Sequence, residues 1–393
     1  MAEGAVRIVH LIPYLRTGGA EMMLLKLLER MDRRRFQCSV MTVTADPPMS
    51  ERIRALGIKV GFPGIDRARW AEGTRPDVVQ GWMYHGNMLT VPLKALLPAA
   101  AVAWNVRCDF RGASFSLKAR ASARACALFS RHVPDVIIFN SLRARDSHLR
   151  LGYRARDMRV IPNGFDLERF RPSEDARAKL RESLRLAPET GLIGMIARFT
   201  PREKDHGTFL EAAARLVRAR SGAHFLLCGP GMSADNGALV SEIEARGLSG
   251  WVHLLGERRD MPDVTAGLDV AALVSHVEGF PNVIGEAMAC GVPVVATDVG
   301  DCRDIVGEAG IIVPPRDPDA LAGAWRKLLE AGREGRERVG RLGRERVAAL
   351  YDLGKIVHQY EDLYEKLARG VRSACGARTE DGGVPRCAES AAR

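Results

Sequence analysis

The 393-residue sequence has no C-x-x-C pair, few aromatic residues and no long uncharged apolar run, and each shortage closes off a class of protein. Its eight cysteines, Cys38, Cys108, Cys126, Cys228, Cys290, Cys302, Cys375 and Cys387, are scattered. That spacing suits neither a zinc cluster nor a disulfide framework. Several stand beside small or apolar residues, as free buried thiols do, so a reducing cytoplasm is the expected setting. A membrane-spanning helix needs about 18–20 consecutive apolar residues, and the longest approach, Met88 to Trp104, is broken by Lys94 and two prolines. The chain meets Arg7 and Glu21 before any signal-peptide core develops, so neither a secreted nor a spanning protein is expected. Aromatic residues make up only 6% of the chain and form no interleaved platform for stacking bases, so no nucleic acid partner is expected.

What the chain does have is length for two domains and an uneven charge. The net charge is +10, yet residues 1–170 hold 27 Lys+Arg against 15 Asp+Glu, and the remainder is slightly acidic. A basic half suits a partner bearing phosphates. Its densest acid-free stretch, Phe110 to Pro134, includes Arg120, Arg124 and Arg131. On a helix these three would fall within an arc of about 40°. A solvated helix face and contact with an anionic membrane surface are both open for this stripe.

Strand and helix patterns alternate along the chain. Val6–Ile12, Phe36–Thr44, Asp77–Gln80, Ala101–Asn105 and Asp135–Asn140 read as strands, with helical periodicity between them, as in Ala20–Arg30. Val160–Pro172 carries Pro162, Gly164 and Pro172 and reads as a connector. A second series follows: Gly191–Ala197, His224–Cys228, Val252–Leu255, Asp269–Val274, Pro293–Thr297 and Gly310–Val313. This rhythm predicts two Rossmann-like halves with a ligand between them at the carboxyl ends of the strands. The expected division is 1–165, 166–350, a terminal helix over 351–369 and a disordered tail over 370–393.

Chemistry concentrates in Glu278-Gly279-Phe280-Pro281-Asn282-Val283-Ile284-Gly285-Glu286. Glu278 follows a strand, and Asn282, a candidate cap, opens a helix that ends near Cys290. Helix amino ends hold phosphates, and carboxylates accept hydrogen bonds from hydroxyls. A ligand bearing both groups suits the pair; a helix-dipole role for Glu286 is the plainer reading. Upstream, Arg198 and Lys204 stand six apart on the loop after a strand, spaced to converge on one anion. Gly18 and Gly19 sit between the first strand and first helix, where glycine lets a backbone approach a ligand. They are not part of a G-x-G-x-x-G dinucleotide fingerprint.

Read with its flanks, VSHVEGFPNVIGEAMACGVPVVATDVGDCRDIV, this region resembles the retaining nucleotide-sugar glycosyltransferases of family four, also called glycosyl transferases group 1. The E-x7-E signature of that family matches at Glu278 and Glu286. The resemblance covers about residues 7–350 and implies an α/β GT-B fold, two Rossmann-like doubly wound domains facing each other across a cleft. It further implies that Glu278 contacts donor-sugar hydroxyls and that Glu286 binds the ribose. The backbone from Gly279 through Phe280, Pro281 and Asn282 to Val283 would meet sugar and diphosphate. Arg198 and Lys204 would bind the diphosphate, with Gly18 and Gly19 nearby, and His85 would stand near the reacting sugar. Pro162-Asn163-Gly164-Phe165-Asp166 resembles the family's interdomain segment, and Gly229-Pro230-Gly231 a loop beneath the base. Arg107 and Tyr84 are candidate acceptor contacts; for Arg107 a salt bridge is the competing role.

The implied reaction moves a sugar, with retention, from a nucleotide diphosphate sugar to a hydroxyl of a glycan or lipid-linked acceptor. UDP is the expected nucleotide. No D-x-D signature stands near these motifs, so the expectation includes no metal and no cofactor. The expected place is the cytoplasm, peripheral on the inner face of the cell membrane. A sugar-nucleotide epimerase-like enzyme of the same fold and a non-catalytic nucleotide-sugar-binding protein remain open alternatives.

Overall fold

The computed structural model describes residues 4–16, 18–44, 47–61, 74–110 and 117–380. Its contacts divide the chain into two units: Met1–Arg107 with Phe115–Ile161 and Lys355–Arg393, and Cys108–Ser114 with Pro162–Gly354.

The first unit is built on seven parallel strands, β1 (Val6–Tyr14), β2 (Phe36–Thr44), β3 (Lys59–Gly61), β4 (Val78–Trp82), β5 (Ala101–Val106), β6 (Val136–Phe139) and β7 (Asp157–Val160), in the order β3-β2-β1-β4-β5-β6-β7. Every residue of β4, β5 and β6 is buried, as expected where both faces of a parallel sheet are covered. The edge strands β3 and β7 escape the sequence pattern. They are short and carry Lys59 exposed and Asp157 and Arg159 half-exposed, so no apolar run marks them. The helices are α1 (Gly19–Arg30), α2 (Pro47–Ala55), α3 (Met83–Leu96), α4 (Leu117–Phe129) and α5 (Leu142–Arg150).

The second unit has six parallel strands at the six expected places: β8 (Leu192–Ile196), β9 (His224–Cys228), β10 (Val252–Gly256), β11 (Val270–Leu273), β12 (Val294–Thr297) and β13 (Gly310–Val313). Their order, β10-β9-β8-β11-β12-β13, is that of a doubly wound sheet. Its helices are α6 (Glu174–Ser183), α7 (His206–Arg218), α8 (Gly237–Ala245), α9 (Met261–Ala266), α10 (Asn282–Ala289), α11 (Cys302–Val306), α12 (Pro318–Glu330) and α13 (Gly332–Leu350). Asp269, buried just before β11, gathers Arg177 and Arg181 of α6 and Arg336 of α13 and accepts from the Leu192 amide. One carboxylate thereby anchors two helices to the sheet, and truncating it would leave guanidinium groups buried beside an empty site.

Two expected boundaries move. The Asn163–Asp166 stretch belongs with the second unit, because Phe165 exchanges backbone hydrogen bonds with Tyr351 and Leu353. The last helix, α14 (Leu353–Glu380), continues well past residue 369. Alanine and arginine sustain it, and no proline stops it before Pro385. The final 13 residues of the expected tail lie outside the described residues. Tyr360 and Tyr364 of α14 are fully buried in the first unit; Tyr364 donates to Gln80, and Tyr360 accepts from Asn105.

Candidate functional site

In each sheet the strand order reverses at one place, between β1 and β4 in the first unit and between β8 and β11 in the second. Loops leaving the carboxyl ends of those strands are where doubly wound folds bind ligands.

In the second unit, the loops after β8 and β11 are stitched together. Asp205 N donates to Val274 O at 3.0 Å, and His276 N donates to Glu203 O at 2.8 Å. This brings Lys204 and Glu278 into an ion pair through Nζ and Oε1, with side chains 19% and 12% exposed. Ser275 Oγ donates to the same Oε1 at 2.7 Å. Among the described residues, no hydrogen bond falls on Glu278 Oε2. The carboxylate is therefore fixed by one oxygen and offers the other. Arg198 is exposed on the same loop as Lys204, and no hydrogen bond or ion pair within the described residues holds its guanidinium.

Behind Lys204 the loop rests on His206, the first residue of α7. Its ring is 2% exposed and packs on Phe199 with centroids 4.8 Å apart. Neither ring nitrogen has a hydrogen-bond partner. Burial holds its pKa down at about 4, so the ring is neutral.

The start of α10 is built from three directions. Pro281, not Asn282, occupies the cap position, and it caps no amide through its side chain. Asn282 is the first helical residue, and its Oδ1 accepts from Asn163 Nδ2 at 2.6 Å. The side chain is thus spent on the segment after β7, and the helix's leading amides are left uncapped by it. Phe165 stacks on Phe280 at 6.2 Å and packs edge-on against Tyr351. Glycine is required at 285: a Cβ there would stand 2.1 Å from the Phe165 ring. Gly300 is required too, at φ +51, because a Cβ would meet the carbonyl oxygens of Glu278 and Gly279 at 2.5 Å. Asp301 N donates to that Gly279 carbonyl. Val283 and Glu286 are half-buried on α10, and Pro281 is buried.

The first unit places its candidates unequally. Gly18 and Gly19 stand where β1 passes into α1, with Met22 N donating to Gly18 O. Met83 turns the chain from β4 into α3 at φ +61. A non-glycine residue in that region is worth attention at a site. After the turn, His85 is exposed, 3.5 Å from Ser122 Oγ. Tyr84 points inward, and its hydroxyl lies 2.7 Å from His148 Nε2. Its polar atom is thus engaged within the first unit. Arg107 is 8% exposed, lies over the Trp82 ring, and donates to Asn105 and Tyr360. The basic stripe also changes. Arg120 and Arg124 are exposed on α4, but the helix ends at Phe129, ahead of Pro134, and Arg131 lies beyond it.

Sequence reasoning named Asn163 only within its connecting segment and missed Ser275 and His206. Ser275 had a signal, since it lies two residues past β11 on the loop that leads to Glu278. The Asn163–Asn282 pair had none, being 119 positions apart.

Comparison with known proteins follows the same division. The family described as Glycosyltransferase Family 4 matches residues 17–169. The one described as Glycosyl transferases group 1 matches residues 190–331. A D-inositol 3-phosphate glycosyltransferase of Corynebacterium jeikeium is 33% identical over 183 residues, which are 44% of this chain and 43% of that protein. This chain thus spans less than half the length of that relative. The putative glycosyltransferase EpsF of Bacillus subtilis is 25% identical over 322 residues, covering 76% of this chain and 80% of its own. Among solved structures, Anabaena HepE in complex with UDP superposes with a TM-score of 0.82 at 22% identity, over 92% of this chain and all of that one. That likeness bears on the fold, which is GT-B.

Proposed function

The chain belongs to the family-four glycosyltransferases, and on that premise we propose that it moves a sugar from a UDP-sugar to a hydroxyl of a glycan or lipid-linked acceptor, with retention. The observation that carries this reading is Glu278, held through Oε1 by Lys204 and Ser275 with Oε2 open. A carboxylate so fixed can accept from a donor-sugar hydroxyl without swinging. Lys204 has three ammonium hydrogens, so it can keep Glu278 and still point at a diphosphate. Arg198 supplies a second cation, and the first amides of α10 a third source of positive potential. UDP in the HepE structure supports uracil as the donor base.

The proposed step breaks the bond between the anomeric carbon and the diphosphate oxygen. The acceptor hydroxyl attacks from the face the diphosphate leaves, and the departing phosphate takes its proton. Charge grows on the bridging oxygen, and Lys204, Arg198 and the α10 amides stabilise it there. Glu278 orients the sugar and is not assigned as a nucleophile, because its bound oxygen is neutralised by Lys204. Glu286, on the next helical turns, takes the ribose. His85, exposed after β4, is proposed as the first unit's polar contact to the reacting sugar. We further propose that the protein works on an anionic membrane surface through α4. Leu117 and Leu128 on that helix are 85% and 78% exposed, Arg120 and Arg124 stand beside them, and residues 110–134 contain no acid. No described helix is long and apolar enough to cross a membrane.

Ligand-observed NMR with UDP-, GDP- and ADP-sugars tests the donor assignment. Selective binding of a UDP-sugar, weakened in Glu286→Ala, is the expected result. Preference for another base, or binding indifferent to that substitution, would overturn it.

A further inference from the structure

The amino ends of β5, β6 and β7, opposite the ends that carry His85, border a groove of about 890 Å³ against α14. That is the size of a small-molecule site. Four cations, Lys94, Arg156, Arg159 and Lys366, line it together with two carboxylates, Asp135 and Asp157. The carboxylates are already engaged. Asp135 Oδ2 accepts from the Val102 amide at 2.8 Å and from Lys94 at 3.3 Å. Asp157 Oδ2 is shared by Arg159 at 3.0 Å and Lys366 at 3.5 Å. Arg156 is exposed, and no hydrogen bond or ion pair within the described residues holds it. The groove thus carries an excess of two positive charges and one uncommitted guanidinium fork. Its floor is small and apolar: a proline and alanines over 98–101 and, from α14, Leu367, Gly370 and Val371. Gly370 is exposed at its border, with open space where a Cβ would stand.

We propose that this groove is a second ligand site, separate from the donor loops, for a small organic phosphate monoester. Two net positive charges match a phosphate dianion. Arg156 can grip it by two hydrogen bonds, and Lys94, Arg159 and Lys366 each have hydrogens beyond those bound to carboxylates. The apolar floor takes the carbon skeleton. A bound phosphate would join α14 to the starts of β6 and β7.

The test is ligand-observed NMR on the full chain with glycerol 3-phosphate as probe, glycerol as neutral control, and inorganic phosphate to separate the anion from the skeleton. Glycerol 3-phosphate should bind, glycerol should not, and inorganic phosphate should bind more weakly. Saturating UDP should leave the probe in place. Arg156→Ala should weaken the probe about tenfold, the worth of a charge-assisted pair. Gly370→Leu, which fills the groove, keeps every charge and favours helix, should abolish binding while the thermal midpoint holds. Lack of binding, displacement by UDP, or binding unchanged in both variants would overturn the proposal. The donor reading would be untouched by any of these results.

Discussion

Glu278 and Lys204 pair in the second unit, so each fixes the position of the other. Replacing Glu278 by Gln keeps the shape and removes the charge. The Lys204 anchor weakens, and the amide must choose which face to give the sugar. Turnover in Glu278→Gln should fall about a hundredfold, the scale set by misplacing a reacting group by about 1 Å. Steady-state kinetics with the donor identified above would show it, and full turnover would remove Glu278 from the reaction. His206 acts behind them through its neutral ring. Its pKa is about 4 in the fold against an ordinary 6.5, because burial penalises the cation. The unfolded chain therefore binds the proton first as pH drops. Stability from this group is complete above pH 6.5 and is lost as pH falls towards 4. His206→Phe, which gives up no hydrogen bond, should lose less thermal midpoint than the wild type between pH 7 and pH 5. Equal losses would show that another group governs the acid limb. His10, buried in the first unit and held near pKa 3, supplies a residual slope of the same sign in both proteins.

At the scale of elements, α10 shows how packing shapes the site. Its amino end is held by Asn163 and by the Phe165–Phe280 stack, and its close approach to Phe165 works only because residue 285 has no side chain. The same bareness at Gly300 lets the loop after β12 press on the carbonyls of Glu278 and Gly279. The leading amides of α10 are thereby held in place. On α4 the outward side combines exposed leucine with arginine, the composition of a helix that lies in a membrane interface. Flotation should show the protein on phosphatidylglycerol vesicles at low salt and much less on phosphatidylcholine, with Arg120→Glu/Arg124→Glu lost from both. Equal flotation of the double variant would discard α4 as the contact.

Over the whole molecule, strands carrying a continuous apolar run were legible in the sequence, the edge strands β10 and β13 among them, and the two short polar edge strands of the first sheet were not. β5 and β6 announce themselves as continuous apolar runs, whereas β3 and β7 are short, polar and half-exposed. The placement of Glu278, Lys204 and Glu286 on or just after two strand-to-helix loops was legible because those stretches are local in sequence. The inward turn of Tyr84 and Arg107 was not legible, because sequence cannot say which way a polar side chain turns at the end of a strand. One faces His148 and the other Asn105 and Tyr360, partners distant in sequence. Residues 370–380 were misread from a glycine and small-residue composition that nonetheless continues α14.

The central claim is that the paired loops after β8 and β11 bind the donor diphosphate. Isothermal titration of UDP into the wild type and Lys204→Ala tests it most directly. The account predicts that UDP binds the wild type and that removing the ammonium weakens it by about tenfold or more, as expected for a charge-assisted contact to phosphate. A wild type that ignores UDP, or a variant that binds it equally well, would contradict the account.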